Sequence, residues 1–164
     1  MFKKILVPVD GSDSSVMAAK VAQNIASKND GSVTLLYVVR PYLFQYGVED
    51  GATPEPALPA KSVETGQAIL NRIREEAVLT NASLEVKIGA PAPVICSEAD
   101  DGQFDLIVMG SRGITGIAEA FVGSVSQYVS HKAHCPVLLT RLPKGVAENH
   151  TIIKSMSTDY NIYL

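Results

Sequence analysis

Gly110, Gly113, Gly123 and Ser124 are the residues best placed to do chemistry, and they fall in the spacing G-x2-G-x9-G-S. A glycine at the carboxyl end of a strand lets the main chain turn with positive φ and come close to a ligand. A helix N-terminus offers unpaired N–H groups to an anion. The run Leu106 to Met109 before Gly110 reads as a buried strand, and Ser124 opens a helical pattern, so the two features point at one place. The chemistry is non-covalent: backbone donors and peptide dipoles holding a phosphate group, at about 0.3–1 kcal/mol for each exposed charge interaction. The same residues also suit ordinary turns with Ser124 as a mere cap, and spacing alone leaves both readings open.

The elements that position these residues can be taken from hydrophobic period. Ser124 is expected as an N-cap, with Gln127 completing an S-x-x-Q capping box and Val125, Tyr128, Val129 and Ala133 forming the buried face. Ile5 to Val9 is a short apolar run ended by Asp10-Gly11-Ser12, a central strand, with Pro8 where pairing stops. A helix over Asp13 to Lys28 leads to a second buried strand, Val33 to Val39. The proline-rich 40–60 segment reads as a surface loop or flap. An amphipathic helix follows over Lys61 to Leu79, its apolar face comprising Ile69, Leu70, Ile73, Ala77 and Val78. Ser83 to Ile88 alternates as an edge strand with Leu84, Val86 and Ile88 inward. A helix entered through Pro91 and Pro93 stops at Gly102, and Pro136 to Thr140 forms a fifth strand.

Strands alternating with helices describe a single doubly wound α/β domain with helices on both faces. If the first and fourth strands are central neighbours, Asp10 and Gly110 face each other across the crevice where such sheets bind ligands. A chain of 164 residues, 46% hydrophobic, suits one core. A net charge of −3 without a basic cluster argues against nucleic acid or an anionic membrane as partner. The first apolar run is too short for a secretion signal and no stretch suits a membrane span, so a cytoplasmic protein is expected. Cys96 and Cys135 form no C-x-x-C and read as buried thiols in a reducing compartment.

The segments KKILVPVDGS, LLYVV, DLIVMGSRG, GSV and HCPVLL, each at its strand or helix end, together resemble the universal stress protein family over residues 1–141. That resemblance implies a five-stranded parallel sheet of order 3-2-1-4-5, ATP (or AMP or ADP) with magnesium in the crevice, and a homodimer paired through the last strand, Pro136 to Thr140. It implies a regulatory role in the stress response. By position it places Pro8, Val9 and Asp10 against the nucleoside, Val38 at adenine and Met109 and Gly110 at ribose and phosphate. Arg112 and Gly113 would meet the phosphates, and Gly123, Ser124 and Val125 the triphosphate. Val38 and Met109 also read as core, and Asp10 as a turn former. The alternative is a dimeric interaction module of the same fold with no nucleotide or another small ligand.

One departure concerns charge. Ile114 to Val122 contains Glu119 and no lysine or arginine, where many relatives are basic, which leaves Arg112 as the motif's cation and the preference for ATP over AMP open. No G-x-x-x-x-G-K-[ST] loop or G-x-G-x-x-G fingerprint is present, and no general base stands beside the glycines, so slow hydrolysis at most is expected and no catalytic residue is named. His131, His134 and Cys135 sit at a helix end that favours histidine without a metal. Residues 142–164 read as a C-terminal extension that docks on the domain or a partner.

Overall fold

Ile5, Leu6 and Val7 are each fully buried, Ile5 and Val7 in one hydrophobic layer and Leu6 in another. Successive strand residues face opposite sides, so a strand covered on both sides has no place for an alternating polar residue. The computed structural model describes residues 1–41, 60–111 and 123–142. Its strands are β1 (Lys4–Val9), β2 (Ser32–Val39), β3 (Ser83–Ile88), β4 (Leu106–Gly110) and β5 (Val137–Thr140). They form one parallel sheet in the order β3-β2-β1-β4-β5. The helices are α1 (Asp13–Asn29), α2 (Ala60–Glu76), α3 (Pro91–Asp101) and α4 (Ser124–Lys132).

One layer joins Ile5, Val7 and Leu35 to Val16 and Ala19 of α1 and to Ile69, Leu70 and Ile73 of α2. The other joins Leu6, Leu36, Ile107 and Met109 to Ile95 and Ala99 of α3 and Val129 of α4. Each fully buried aliphatic side chain contributes about 1.5–3 kcal/mol. The connections thus change side between β1 and β4, the switch point expected of this fold. The β1–β4 ladder runs only through Ile5–Leu106 and Leu6–Ile107, whereas β1 stays in register with β2 as far as Val9–Tyr37. Pro8 therefore lies beyond the end of pairing toward β4 but within the register toward β2. At the amino end of the sheet, Asp105 accepts the Lys3 N–H at 2.7 Å and the Lys4 N–H at 3.1 Å, tying the starts of β1 and β4.

Several side chains depart from the periodic reading. Val78 is 72% exposed with φ of 56°, because it is the left-handed residue that ends α2 rather than part of its apolar face. There the Leu79 N–H reaches the Arg74 carbonyl at 2.9 Å, as helix-ending left-handed turns do. Gly102 has φ of −76°, and the left-handed position after α3 falls to Gln103. Glycine is still required at 102, since a Cβ there would meet the Phe104 ring at 2.4 Å. Ile88 is 47% exposed at the last position of edge strand β3, and Tyr128 is 42% exposed on α4. Cys96 and Cys135 are half-buried against the α3–α4 layer rather than sealed within it. Burial, with the nearby Asp100 charge, pushes both thiol pKa values up. Among the described residues no helix is long and apolar enough to cross a membrane.

Candidate functional site

The end of β4 and the start of α4 meet at Ser111. Its carbonyl accepts the Gly123 N–H at 2.8 Å and the Ser126 hydroxyl at 3.1 Å, and its own N–H donates to Thr140 at the end of β5 at 2.9 Å. Ser111 and Ser126 are both buried, so these bonds form where an unpaired polar group would cost roughly 1–3 kcal/mol. They fasten the helix mouth to the strand end. Gly110 and Gly123, separated by a long stretch of sequence, thereby share one corner of the sheet.

Ser124 is not the N-cap. Gly123 occupies that place with φ of −60° and ψ of 152°, and no side chain caps the helix. The expected capping box is absent, Gln127 instead donating its N–H to the Gly123 carbonyl at 2.8 Å within the helix ladder. The amides of Ser124, Val125 and Ser126 precede the first intrahelical bond and have no partner inside the helix. The other helix mouths at this edge differ. α1 is capped by Ser12, whose hydroxyl accepts the Ser15 N–H at 3.2 Å, and carries Asp13 in its first turn. α3 opens with Pro91 and Pro93, which have no N–H to offer. Of these three helices, α4 alone presents a full set of first-turn donors, together with the positive end of its dipole.

On the other side of the switch point, continuing the β1–β4 register past Leu6–Ile107 sets Val9 level with Gly110 and Asp10 level with Ser111. Asp10 forms the turn: its Oδ1 accepts the Ser12 N–H at 3.0 Å and the Ser12 hydroxyl at 2.6 Å, with Gly11 beyond it at φ of 92°. Pro8 and Val9 are buried, as is Met109, and Val38 packs partly buried against the α3–α4 layer. Val38 and Met109 thus spend their side chains on the core. Arg112 and Gly113, the 42–59 part of the loop and residues 143–164 lie outside the described residues.

A cavity of about 460 Å³ opens beside α4. Its walls are Arg40 and Pro41 after β2, the turn Gly89 to Pro93 into α3, and Ser124, Val125 and Tyr128 of α4. Ser124 and Val125 are the only residues of the expected set on these described walls; Pro8, Val9, Asp10, Val38, Met109 and Gly110 lie outside them. Arg40 was not among the expected site residues; the signal that marks it is its place directly after the apolar run of β2, at a strand's carboxyl end, where such sheets bind ligands. The Gly89–Pro93 wall follows from strand order, and Ser126 has no signal in hydrophobic period. Among the described residues no group of three acidic, histidine or cysteine side chains is arranged to hold a metal.

Comparison with known proteins agrees with this architecture. The model of the universal stress protein family matches residues 1–141. A universal stress protein of Methanocaldococcus jannaschii is 36% identical over 155 residues, covering 88% of this chain and 85% of the relative. One of Bacillus subtilis is 34% identical over 148 residues, covering 86% of this chain and all of the relative. The solved structure of the universal stress protein UspA from Lactobacillus plantarum superposes with a TM-score of 0.68 at 30% identity, covering 85% of this chain and 98% of that one.

Proposed function

This chain belongs to the universal stress protein family, and from that premise we propose that it is a nucleotide-binding regulatory protein holding an adenine nucleotide, ATP foremost, at the mouth of α4. The observation that carries the reading is the uncapped first turn of α4, fastened to the end of β4 through Ser111 and opening on a cavity of about 460 Å³. That size falls within the roughly 300–1,000 Å³ of small-molecule sites. In this reading the Ser124 and Val125 amides and the Ser124 hydroxyl take phosphate oxygens, with Gly123 allowing close approach. Arg112 and Gly113 complete the phosphate contacts, and Met109 and Gly110 border the ribose through their backbone. Pro8, Val9, Asp10 and the Val38 backbone border the nucleoside. Solved proteins of this fold include complexes with cAMP, dAMP and AMP, at 24%, 21% and 23% identity; they support the reading at the level of the fold. Magnesium would arrive with the phosphates, which suits an ion that is commonly bound through phosphate and water rather than by a protein cage.

The same reading makes the protein a homodimer through β5, which lies at the sheet edge with Leu138 38% exposed, and places it in the cytoplasmic stress response. Heat-denaturing the purified protein and assaying the supernatant for adenine nucleotides tests it. Retained ATP, ADP or AMP is expected. A nucleotide-free supernatant, with no ATP uptake when ATP is added to the native protein, would transfer support to an interaction module of the same fold.

A further inference from the structure

Arg40 follows the last residue of β2, and the pleat sets its side. Leu36 and Val38, at the same period of two, both pack into the layer under α3 and α4, and Arg40 continues that row into the wall of the cavity that Ser124 and Val125 also line. Its side chain is exposed. The ion pairs among the described residues are Arg72–Glu76, Lys87–Glu98 and His134–Asp100, and Arg40 takes part in none of them. No aspartate or glutamate stands among the described residues lining that cavity. One concave surface thus carries a guanidinium and the amide-rich end of a helix, two independent sources of positive potential with no acid beside them among the described residues. A guanidinium fork matches two phosphate oxygens at once, which a lysine ammonium does not. The glycine motif itself is short of charge, because Ile114 to Val122 holds no lysine or arginine.

We propose that Arg40 supplies that charge from another strand, holding the terminal phosphates of the bound nucleotide so that the site prefers ATP and ADP to AMP and adenosine. The proposal rests on the adenine-nucleotide reading above and adds the residue that sets its phosphate preference. Titration calorimetry of the full chain with ATP, ADP, AMP and adenosine tests it, using wild type, Arg40→Gln and Arg40→Lys, with thermal melting to confirm that this exposed site leaves the fold unchanged. Wild-type affinity should rise with phosphate number. Arg40→Gln should lose roughly tenfold for ATP and nothing for adenosine, Arg40→Lys should lose less, and added salt should narrow the gap between wild type and Arg40→Gln. Equal losses for ATP and adenosine, or no loss for either, would overturn the role given to Arg40 while leaving nucleotide binding in place. A wild-type protein that takes up none of the four would remove the nucleotide reading, and this proposal with it.

Discussion

Replacing Gly123 with valine should separate binding from folding. Its φ of −60° and ψ of 152° lie where any residue is at ease, and the N–H that reaches the Ser111 carbonyl at 2.8 Å is kept in the variant. The cost to the fold is the poorer N-cap preference of valine, about 1 kcal/mol at most, or a few degrees in melting temperature. The cost to the ligand is larger. A branched side chain emerging beside the Ser124 and Val125 amides keeps a phosphate from close approach, and each charge-assisted hydrogen bond lost is worth roughly 1.5–3 kcal/mol. ATP affinity should fall about ten- to a hundredfold. Calorimetric titration beside a thermal melt reads both quantities, and Gly123→Ala should give an intermediate result. An unchanged dissociation constant in a folded Gly123→Val protein would refute the assignment of the α4 mouth as the phosphate cradle.

Three further outcomes follow from geometry elsewhere. Val78 holds a left-handed conformation with its side chain in solvent, which costs a branched residue about 1–2 kcal/mol. Val78→Gly should therefore raise the unfolding free energy by a net ~0.5–1 kcal/mol after the unfolded-state entropy of glycine is subtracted, read as a higher urea midpoint; a lower midpoint would contradict the strain. Asp105→Ala removes the acceptor of the Lys3 and Lys4 amides and should destabilise by about 2 kcal/mol, while leaving ATP affinity at the opposite edge unaltered in titration. The Cys96 and Cys135 thiols are raised above their ordinary value of 9.0, chiefly by burial. The folded state therefore holds these protons more tightly than the unfolded one, and their contribution is full below pH 9 and lost as pH rises through it and past the folded values. Urea midpoints of wild type should drop more steeply above about pH 9 than those of a Cys96→Ala, Cys135→Ala variant; parallel slopes would remove the effect.

The sheet was legible because a strand buried on both faces has to be almost wholly apolar, with the buried Thr34 the one polar side chain between Val33 and Val39 apart from the Tyr37 hydroxyl. Ile5 to Val9 and Val33 to Val39 announce this, and a switch between β1 and β4 follows once α1 and α2 take one face and α3 and α4 the other. The meeting of Gly110 with Gly123 was readable from their places at a strand end and a helix start. What holds them together was not. Ser126 is buried because it bonds a carbonyl fifteen residues away, a contact that no period encodes. Ser124 and Gly123 are both acceptable cap residues, so composition could not choose between them, and the Gly123–Ser111 bond decides. Val78 and Gln103 take left-handed positions that composition would give to glycine or asparagine, because the turn is set by the burial of Leu79 and Phe104 just beyond them. Arg40 stands at a legible position, but its company on the cavity wall depends on α3 crossing back over β2, a tertiary fact.

The most direct test places the ligand on the amides themselves. In a titration of ¹⁵N-labelled protein with ATP, the backbone resonances of Ser124, Val125 and Ser126 should move most and saturate together. Resonances that shift elsewhere while these three stay still, or a spectrum unaltered at millimolar ATP, would contradict that placement.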